Sequence, residues 1–315
     1  MDAATLTPEW QFLEKCPSCQ QNDKNIVGRL VSHNYIFGSR RIALPRGGVA
    51  LARCNTCGLV YKLAVPTPEF LKTITTLEQA MLWRLPNYDF ASEIAAIQAY
   101  HPGPTYDLLD VGAAGGELLR AAPYGKGRRS GLDIVQFDGL TVSGGGEFIC
   151  GQIEDLDLKW SGRPYDVVTA LDVLEHIYSP PAAMANLRAV TKPGGIVIIE
   201  TGDTDSIAPD ELSLWYYLAY FEHHIAWNAQ SITAIADRFA FDVVSLERKR
   251  HKLVEKETFE LKAFIKYHCF KLNPKTYHAL QYWGGFAGST PIKPNAKDHI
   301  RCILRRLPLP RHYAS

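Results

Sequence analysis

The chain lacks the features that define several broad classes of protein. No apolar run in its 315 residues approaches the roughly 20 residues of a membrane-spanning helix. The first ten residues hold no basic segment followed by an apolar one, so we expect no secretory signal. Cysteine is sparse and odd in number, seven in all, which argues against a disulfide framework and favours a cytoplasmic protein. With 46% apolar and 21% charged residues, the composition predicts an ordinary globular chain.

An excess of either charge is also lacking. The formal net charge is +1, which argues against a protein held to nucleic acid by electrostatics. The charge is uneven, because residues 247–315 hold 15 Lys and Arg against 5 Asp and Glu. Within this basic segment, residues 297–307 predict a short cationic amphipathic helix packed on the protein's own core. The alternatives for that helix are peripheral contact with an anionic membrane, a diphosphate acceptor or a partner subunit.

Apolar strands and helical stretches alternate in the middle of the chain. Apolar runs at residues 106–111, 130–134, 165–171 and 195–200 predict strands, and residues 181–190 predict a helix. This alternation predicts an α/β fold with a doubly wound parallel sheet, buried on both faces. Ligands of such a sheet bind at the carboxyl ends of its strands.

The domain boundaries follow from composition. Two alternating prolines at residues 65–68 predict an extended linker. We therefore expect a small cysteine-bearing module over residues 1–70, the α/β domain over residues 71–247, and a basic extension packed on the core over residues 248–315.

A glycine-rich turn follows the first of these strands. Asp110 lies near the strand end, and Gly112, Ala114 and Gly116 follow at every second position before a helix. Small residues there allow a tight turn and a close approach of the backbone to a ligand. Asp133 ends the next strand, 23 residues after Asp110, where a carboxylate can accept both hydroxyl groups of a ribose.

These residues resemble the class I S-adenosylmethionine-dependent methyltransferases, in which the first strand ends D-x-G-x-G-x-G. Alanine stands here at the middle glycine, which is a mild departure. Residues 165–176 resemble the family's fourth-strand motif and residues 187–195 its L-K-P-G-G signature, an order that favours this family over dinucleotide-binding proteins. The resemblance implies a Rossmann-like methyltransferase sheet and S-adenosylmethionine as cofactor. It also implies the cofactor-binding residues Asp110, Gly112, Ala114, Gly116, Asp133, Ile153, Glu154 and Asp172.

Four of the cysteines form two C-x-x-C pairs, Cys16 with Cys19 and Cys54 with Cys57. Each pair places two thiolates on one tight turn, and two such turns make a tetrahedral site suited to Zn(II). Four thiolates leave no open coordination position, so we predict a structural zinc ribbon rather than a redox or catalytic metal site. The other three are predicted to be ordinary buried thiols: Cys150, Cys269 and Cys302.

A four-cysteine ribbon before this domain resembles two subgroups: methyltransferases of sugar, polysaccharide and natural-product pathways, and certain ribosomal RNA guanine methyltransferases. The C-G-L-V-Y run at residues 57–61 matches the first subgroup. In the sugar C-methyltransferases a Glu-His pair supplies the catalytic base, and Glu222 and His223 match that pair. His224 is the competing candidate. A histidine titrates near neutral pH, and an adjacent carboxylate can orient it.

We therefore expect methyl transfer to a small acceptor, either a hydroxyl or a keto-adjacent carbon of a sugar, saccharide or natural-product intermediate. About 70 residues follow Val244, without the second Rossmann-type domain of the sugar C-methyltransferases, which favours O-methylation. The alternative enzyme is an rRNA or tRNA base methyltransferase. The alternative of another class is a non-catalytic zinc-ribbon binding module on a degenerate methyltransferase fold.

Overall fold

The structure is a computed structural model. It describes residues 5–30, 35–37, 40–77, 89–122, 127–135, 146–156, 162–250, 265, 268–269, 271–273 and 297–308. Among these residues, we find no helix with the length and apolar character needed to cross a bilayer.

The described elements are sixteen strands, six α-helices and three short 3-10 turns. The strands are β1 Thr5–Leu6, β2 Trp10–Phe12, β3 Lys24–Leu30, β4 Tyr35–Phe37, β5 Arg40–Ile42, β6 Val49–Cys54, β7 Val60–Lys62, β8 Ala64–Pro66, β9 Leu108–Val111, β10 Arg129–Asp133, β11 Phe148–Cys150, β12 Tyr165–Leu171, β13 Thr191–Gly202, β14 Ile225–Ala226, β15 Phe241–Lys249 and β16 His299–Arg306. The helices are α1 Pro68–Leu77, α2 Ala91–Tyr100, α3 Glu117–Ala121, α4 Pro180–Val190, α5 Tyr216–Ala219 and α6 Ala229–Arg238. The 3-10 turns are Ile153–Asp155, Thr204–Ser206 and Pro209–Leu214.

The chain forms two compact units, each assembled from three segments. The first unit contains Met1–Ile74, Gly202–Asn228 and Arg248–His299. The second contains Thr75–Thr201, Ala229–Glu247 and Ile300–Ser315. The division of the chain at residues 70 and 247 stays a prediction from composition.

The second unit is built on a seven-stranded sheet in the order β11-β10-β9-β12-β13-β16-β15. The strands from β11 to β13 pair in parallel. All four residues of β9 are buried, and apolar side chains of β9, β12 and β13 share one core cluster with those of α2 and α3. The predicted α/β fold with a Rossmann-like sheet is confirmed. Apolar strands of this kind are stable only when both sheet faces are covered.

The helix predicted over residues 181–190 is confirmed as α4. Ser179 precedes it and accepts a hydrogen bond from the Ala182 amide at 3.4 Å, which caps the first turn. Pro180 and Pro181 occupy the first helical positions, where a missing N–H costs nothing.

The cationic helix predicted over residues 297–307 is wrong, because these residues contribute the strand β16. That strand lies between β13 and β15, and its first six residues are buried. Arg301 is among them, and its guanidinium pairs with Glu200 at 2.5 Å and with Glu93 at 3.0 Å. Sheet pairing and buried carboxylates therefore outweigh the amphipathic pattern. These residues therefore do not form the helix on which the predicted cationic surface depended.

The described residues of the first unit form three small sheets. One is β14-β7-β6-β3, whose neighbouring strands run antiparallel, one is β1-β5-β4 and one is β2-β8. The linker predicted at residues 65–68 is wrong, because β8 pairs Pro66 with Trp10 and α1 begins at Pro68. A two-stranded sheet has only edge strands, which tolerate a proline without a ladder donor.

Candidate functional site

The turn after β9, in the second unit, holds three residues in the left-handed region. Gly112 has a φ of +73°, Ala114 of +45° and Gly116 of +77°. A Cβ atom on Gly112 would lie 2.4 Å from Cγ2 of Val173, so this position requires glycine. Ala114 adopts the same region with a side chain, which L-residues do at a steric cost. The replacement that the sequence suggested to be mild is therefore a strained position.

Asp133, the last residue of β10, is bonded directly to this turn. Its Oδ2 accepts a hydrogen bond from the Ala114 amide at 2.8 Å, and its Oδ1 accepts one from the Val135 amide at 3.1 Å. Burial raises the pKa of the carboxyl group, and these backbone hydrogen bonds partly offset the rise. A carboxylate has about four lone-pair positions, so these hydrogen bonds do not exhaust its capacity to accept.

Two other predicted cofactor residues hold neighbouring parts of the fold. Asp110 accepts a hydrogen bond at Oδ1 from the Thr169 hydroxyl at 2.6 Å, which joins β9 to β12. Glu154 accepts one at Oε1 from the Tyr178 amide at 2.8 Å, just before α4. Burial raises the pKa of Glu154. Both carboxylates thus have structural partners at the strand ends.

Asp172 and Ile153 complete the predicted set. Asp172 follows β12 with a φ of +54°, and its amide donates to the Glu200 carbonyl at 2.8 Å. Ile153 is buried, and its carbonyl accepts a hydrogen bond from the Asn186 side chain at 2.8 Å. The structure therefore brings all the predicted cofactor residues to the carboxyl ends of the parallel strands β9, β10, β11 and β12.

The four paired cysteines converge in the first unit. All four sulfur atoms lie within 4.8 Å of one another, with 3.6 Å between Cys16 and Cys57 and 3.4 Å between Cys19 and Cys54. Tetrahedral Zn–S bonds of about 2.3 Å would separate the sulfurs by about 3.8 Å, so the donor set fits this metal. The hydrogen bond between Cys16 and Cys57 lowers the pKa of the Cys57 thiol to about 5 and raises that of Cys16.

The remaining cysteines differ in exposure. Cys302 is buried in β16, and burial raises the pKa of its thiol to about 12. Cys269 is half-buried. Cys150 is exposed at the end of β11, with its Sγ 3.7 Å from the Ile134 carbonyl. The predicted burial is confirmed for Cys302 and wrong for Cys150, which lies on the last strand of the sheet.

The predicted Glu222–His223 pair and His224 lie in the first unit, on the four-cysteine module. Strand β14 directly follows His224 and pairs with β7. The amide of Lys62 donates to the His224 carbonyl at 2.9 Å, and Nδ2 of Asn228 donates to the Gly58 carbonyl at 3.1 Å. The candidate base residues thus directly precede β14, which pairs with β7, the strand that follows the second cysteine pair.

Lys62 is a buried titratable residue that the sequence analysis missed. It is only 2% exposed, and its Nζ donates to the Tyr220 carbonyl at 2.6 Å. Burial lowers its pKa to about 7, and the charge of Glu222 opposes that shift. Glu222 and His223 are themselves buried, at 8% and 7% exposure. A lysine in the apolar run of β7 was the available signal, since lysine is rarely buried.

Residues 82–246, more than half of the chain, match the model of a family described as a methyltransferase domain. A ubiquinone biosynthesis O-methyltransferase from Bordetella avium is 32% identical over 101 residues, which are 30% of this chain and 42% of that protein. The chain thus spans less than half the length of the curated relatives it matches.

Two solved structures are among those to which the chain is similar. The 1,6-didemethyltoxoflavin-N1-methyltransferase from Burkholderia thailandensis is 12% identical, with a TM-score of 0.45 over 82% of this chain and 96% of that one. The N-methyltransferase NodS from Bradyrhizobium japonicum, in complex with S-adenosylhomocysteine, is 13% identical. Its TM-score is 0.42 over 71% of this chain and 91% of that one.

Proposed function

Because the chain belongs to the methyltransferase-domain family, we propose that it transfers the methyl group of S-adenosylmethionine to a hydroxyl of a small acceptor. The observation that carries this proposal is the hydrogen bond of 2.8 Å between the Ala114 amide and Asp133. This hydrogen bond joins the glycine-rich turn to Asp133 at the end of the next strand. The turn would lie beside the amino acid moiety of the cofactor, and Asp133 would bind its ribose. When bound, S-adenosylmethionine supplies an electrophilic methyl carbon on a positively charged sulfur.

The residues of the turn would hold the donor in distinct ways. Gly112 and Gly116 allow the backbone to approach the donor closely, since neither carries a side chain. Asp133 would accept hydrogen bonds from the ribose hydroxyls with the lone pairs that Ala114 and Val135 leave available. Charge-assisted hydrogen bonds of this type are among the stronger polar contacts in proteins.

A hydroxyl is the acceptor group that the comparisons favour. The curated relatives are O-methyltransferases by name, although they match over 101 residues only. The resemblance of the C-G-L-V-Y run at residues 57–61 favours a sugar, saccharide or natural-product intermediate as the molecule that carries this hydroxyl. A carbon beside a ketone in the same class of molecule is the second acceptor group to test.

We assign proton removal to a histidine of the first unit. The resemblance nominates His223 for this role, with Glu222 orienting it and His224 as the competing ring. An imidazole near its ordinary pKa can take a proton from an acceptor at neutral pH. Proton removal of this kind contributes about 10²–10⁴-fold to a rate.

We also propose that Cys16, Cys19, Cys54 and Cys57 bind a structural Zn(II) ion. Their sulfur separations support a closed tetrahedral shell, which has no position for a substrate. The metal would hold the module on which residues 222–224 are carried.

Calorimetric titration of the protein with S-adenosylhomocysteine tests the donor site. We expect micromolar binding by the natural chain and at least a tenfold loss of affinity in Asp133→Ala, because one or two charge-assisted hydrogen bonds are removed. Asp133→Asn, which keeps the shape, should also weaken binding. Asp237→Asn, on the exposed face of α6, is the matched control and should bind normally. Equal affinity in Asp133→Ala would refute the ribose assignment.

A panel of acceptors tests the reaction. The zinc-loaded protein is incubated with methyl-labelled S-adenosylmethionine and sugar nucleotides, phenols or RNA fragments, and transfer is followed by mass. We expect label on a hydroxyl of a small acceptor. Label on RNA would favour the base methyltransferase, and failure to bind S-adenosylhomocysteine at millimolar concentration would favour a non-catalytic module.

A further inference from the structure

A buried carboxylate–imidazole pair lies in the first unit at Asp298 and His299. The Oδ1 atom of Asp298 is 3.0 Å from Nδ1 of His299, and the two residues are 3% and 2% exposed. The sequence analysis placed both residues in the predicted cationic helix at residues 297–307. This pair is outside the Glu222–His223 motif, which lies about 75 residues earlier in the chain.

Two further hydrogen bonds hold Asp298, one at its carboxylate and one at its backbone carbonyl. Nε1 of Trp215 donates to its Oδ2 at 3.1 Å, and the backbone carbonyl of Asp298 accepts from the Asp203 amide at 2.8 Å. One carboxylate oxygen thus contacts an indole and the other an imidazole. This arrangement fixes the direction in which the carboxylate meets the ring of His299.

The pair determines which nitrogen of His299 is basic. An ionised carboxylate can only accept, so beside an ionised Asp298 the proton of the neutral His299 ring would be on Nδ1. The lone pair of the neutral ring is then on Nε2. A buried carboxylate at Nδ1 also stabilises the imidazolium that forms once Nε2 takes a proton, as in the triad of serine proteases.

His299 and His223 contact the same aromatic ring. The centroid of Tyr217 lies 5.2 Å from the ring of His299 and 4.3 Å from the ring of His223. Tyr217 is fixed in turn, because its hydroxyl accepts from the Gly202 amide at 2.8 Å and its ring stacks on Trp215 at 4.7 Å. The carboxylate-oriented histidine is therefore part of the cluster to which the sequence had assigned the base.

We propose that His299, oriented by Asp298, is the proton acceptor of the methyl transfer, and that Asp298 is its positioning residue. The proposal rests on the proposed function and names the histidine within it. The acceptor hydroxyl loses its proton to Nε2 of His299, and its oxygen electron pair forms the bond to the methyl carbon. The carbon–sulfur bond breaks with its pair passing to sulfur, which becomes neutral, and the imidazolium then releases its proton to water.

The tautomer of His299 gives a test that needs no acceptor. The full-length zinc-loaded protein is labelled with ¹⁵N-histidine, and the signals of His299 are assigned by their loss in His299→Gln. We expect the Nδ1–H form in the natural chain at a pH where the ring is neutral. Asp298→Asn should convert it to the Nε2–H form, because the amide can donate to Nδ1. An Nε2–H form in the natural chain would overturn the proposal.

Turnover on the hydroxyl acceptor found in the panel tests the chemical role. Asp298→Asn and His299→Gln should lower kcat by about 10²–10⁴-fold, the contribution of a positioned general base, with KM and S-adenosylhomocysteine affinity within about twofold. His101→Gln, whose ring contacts Tyr106 in the second unit, is the matched control and should keep full turnover. Normal zinc content and cofactor affinity in the variants establish that they are folded.

The outcomes separate the two proposals. An active natural chain with full turnover in His299→Gln overturns the assignment of His299 alone. Full turnover in Asp298→Asn overturns the positioning role of Asp298. A natural chain that methylates no acceptor overturns the proposed function, and the assignment of His299 with it. If kcat falls in His223→Gln and not in His299→Gln, His223 is the base and the assignment of His299 is overturned.

Discussion

The two units place their reactive groups by different means. In the second unit, the hydrogen bond between Ala114 and Asp133 spans 19 residues, and both lie at the ends of buried parallel strands. In the first unit, the Cys16–Cys57 contact spans 41 residues and the Trp215–Asp298 hydrogen bond spans 83. The glycine-rich turn at residues 112–116 therefore depends on the buried apolar sheet. The candidate base residues depend instead on hydrogen bonds and cysteine contacts between segments that are distant in sequence. We expect the metal to matter for the first unit and to be dispensable for the second.

Loss of the metal should have the largest effect and should separate the units most clearly. Cys54→Ser, or chelation, removes a site that can contribute on the order of 10 kcal/mol to folding. We expect the first unit to lose its structure while S-adenosylhomocysteine binding persists, as followed by thermal unfolding and calorimetry. Cys150→Ser, at an exposed thiol, is the control and should melt normally. A metal-free Cys54→Ser protein with normal melting would contradict the structural zinc.

The buried lysine should give the first unit a pH dependence of intermediate size. The pKa of Lys62 is about 7 in the folded chain, against an ordinary value of 10.5 for an exposed lysine. Between these values the unfolded chain binds a proton that the folded chain does not, so stability rises with pH from about 7 to about 10.5. Below about pH 7 both states are protonated, and the cost of burying the charge is present in full. A shift of this size corresponds to about 4–5 kcal/mol.

Urea unfolding across this pH range, with Lys62→Met beside the natural chain, measures the effect. The natural chain should gain stability relative to Lys62→Met as the pH rises. Lys72→Met, at an exposed position of α1, is the control and should follow the natural chain. Parallel curves for the natural chain and Lys62→Met would show that the charge of Lys62 is not buried at a cost.

The smallest effect on stability is expected in the glycine-rich turn at residues 112–116, where one substitution should raise the free energy of unfolding. Ala114→Gly should stabilise the second unit by about 0.5–1 kcal/mol. Glycine removes the steric strain of an alanine in the left-handed region, and the larger conformational entropy of glycine in the unfolded chain offsets part of that gain. Gly112→Ala should destabilise by more than that, since its Cβ would meet Val173 at 2.4 Å. Chemical unfolding of both variants checks the contrast, and a destabilised Ala114→Gly would remove the strain argument.

Sequence patterns predict the second unit well because its signals are local. Strand runs, the turn at residues 112–116 and Asp133 lie within short stretches whose spacing carries their meaning. Helix α4 follows from a cap and two prolines at its start. The convergence of the four cysteines was equally predictable, because metal geometry constrains C-x-x-C pairs.

The misses lie where distant residues decide the structure. The pattern at residues 297–307 suits a cationic helix, but Glu93 and Glu200 neutralise Arg301 inside a sheet. Neither carboxylate is near in sequence, so no local pattern could reveal the pairing. The pair Asp298–His299 was lost with that helix. Lys62 was overlooked because its burial depends on Tyr220, which lies 158 residues away.

The place of β16 in the sheet has a consequence for biosynthesis. Strands β13 and β15 flank β16, yet β15 ends at Lys249 and β16 begins only at His299. At translation rates of about 5–20 residues per second, those intervening residues take about 2–10 seconds to emerge. During that interval the sheet lacks the strand between β13 and β15, so β13 has unpaired backbone groups that can recruit other strands. The nascent chain is therefore most exposed to aggregation late in synthesis, after the glycine-rich turn at residues 112–116 has already been translated.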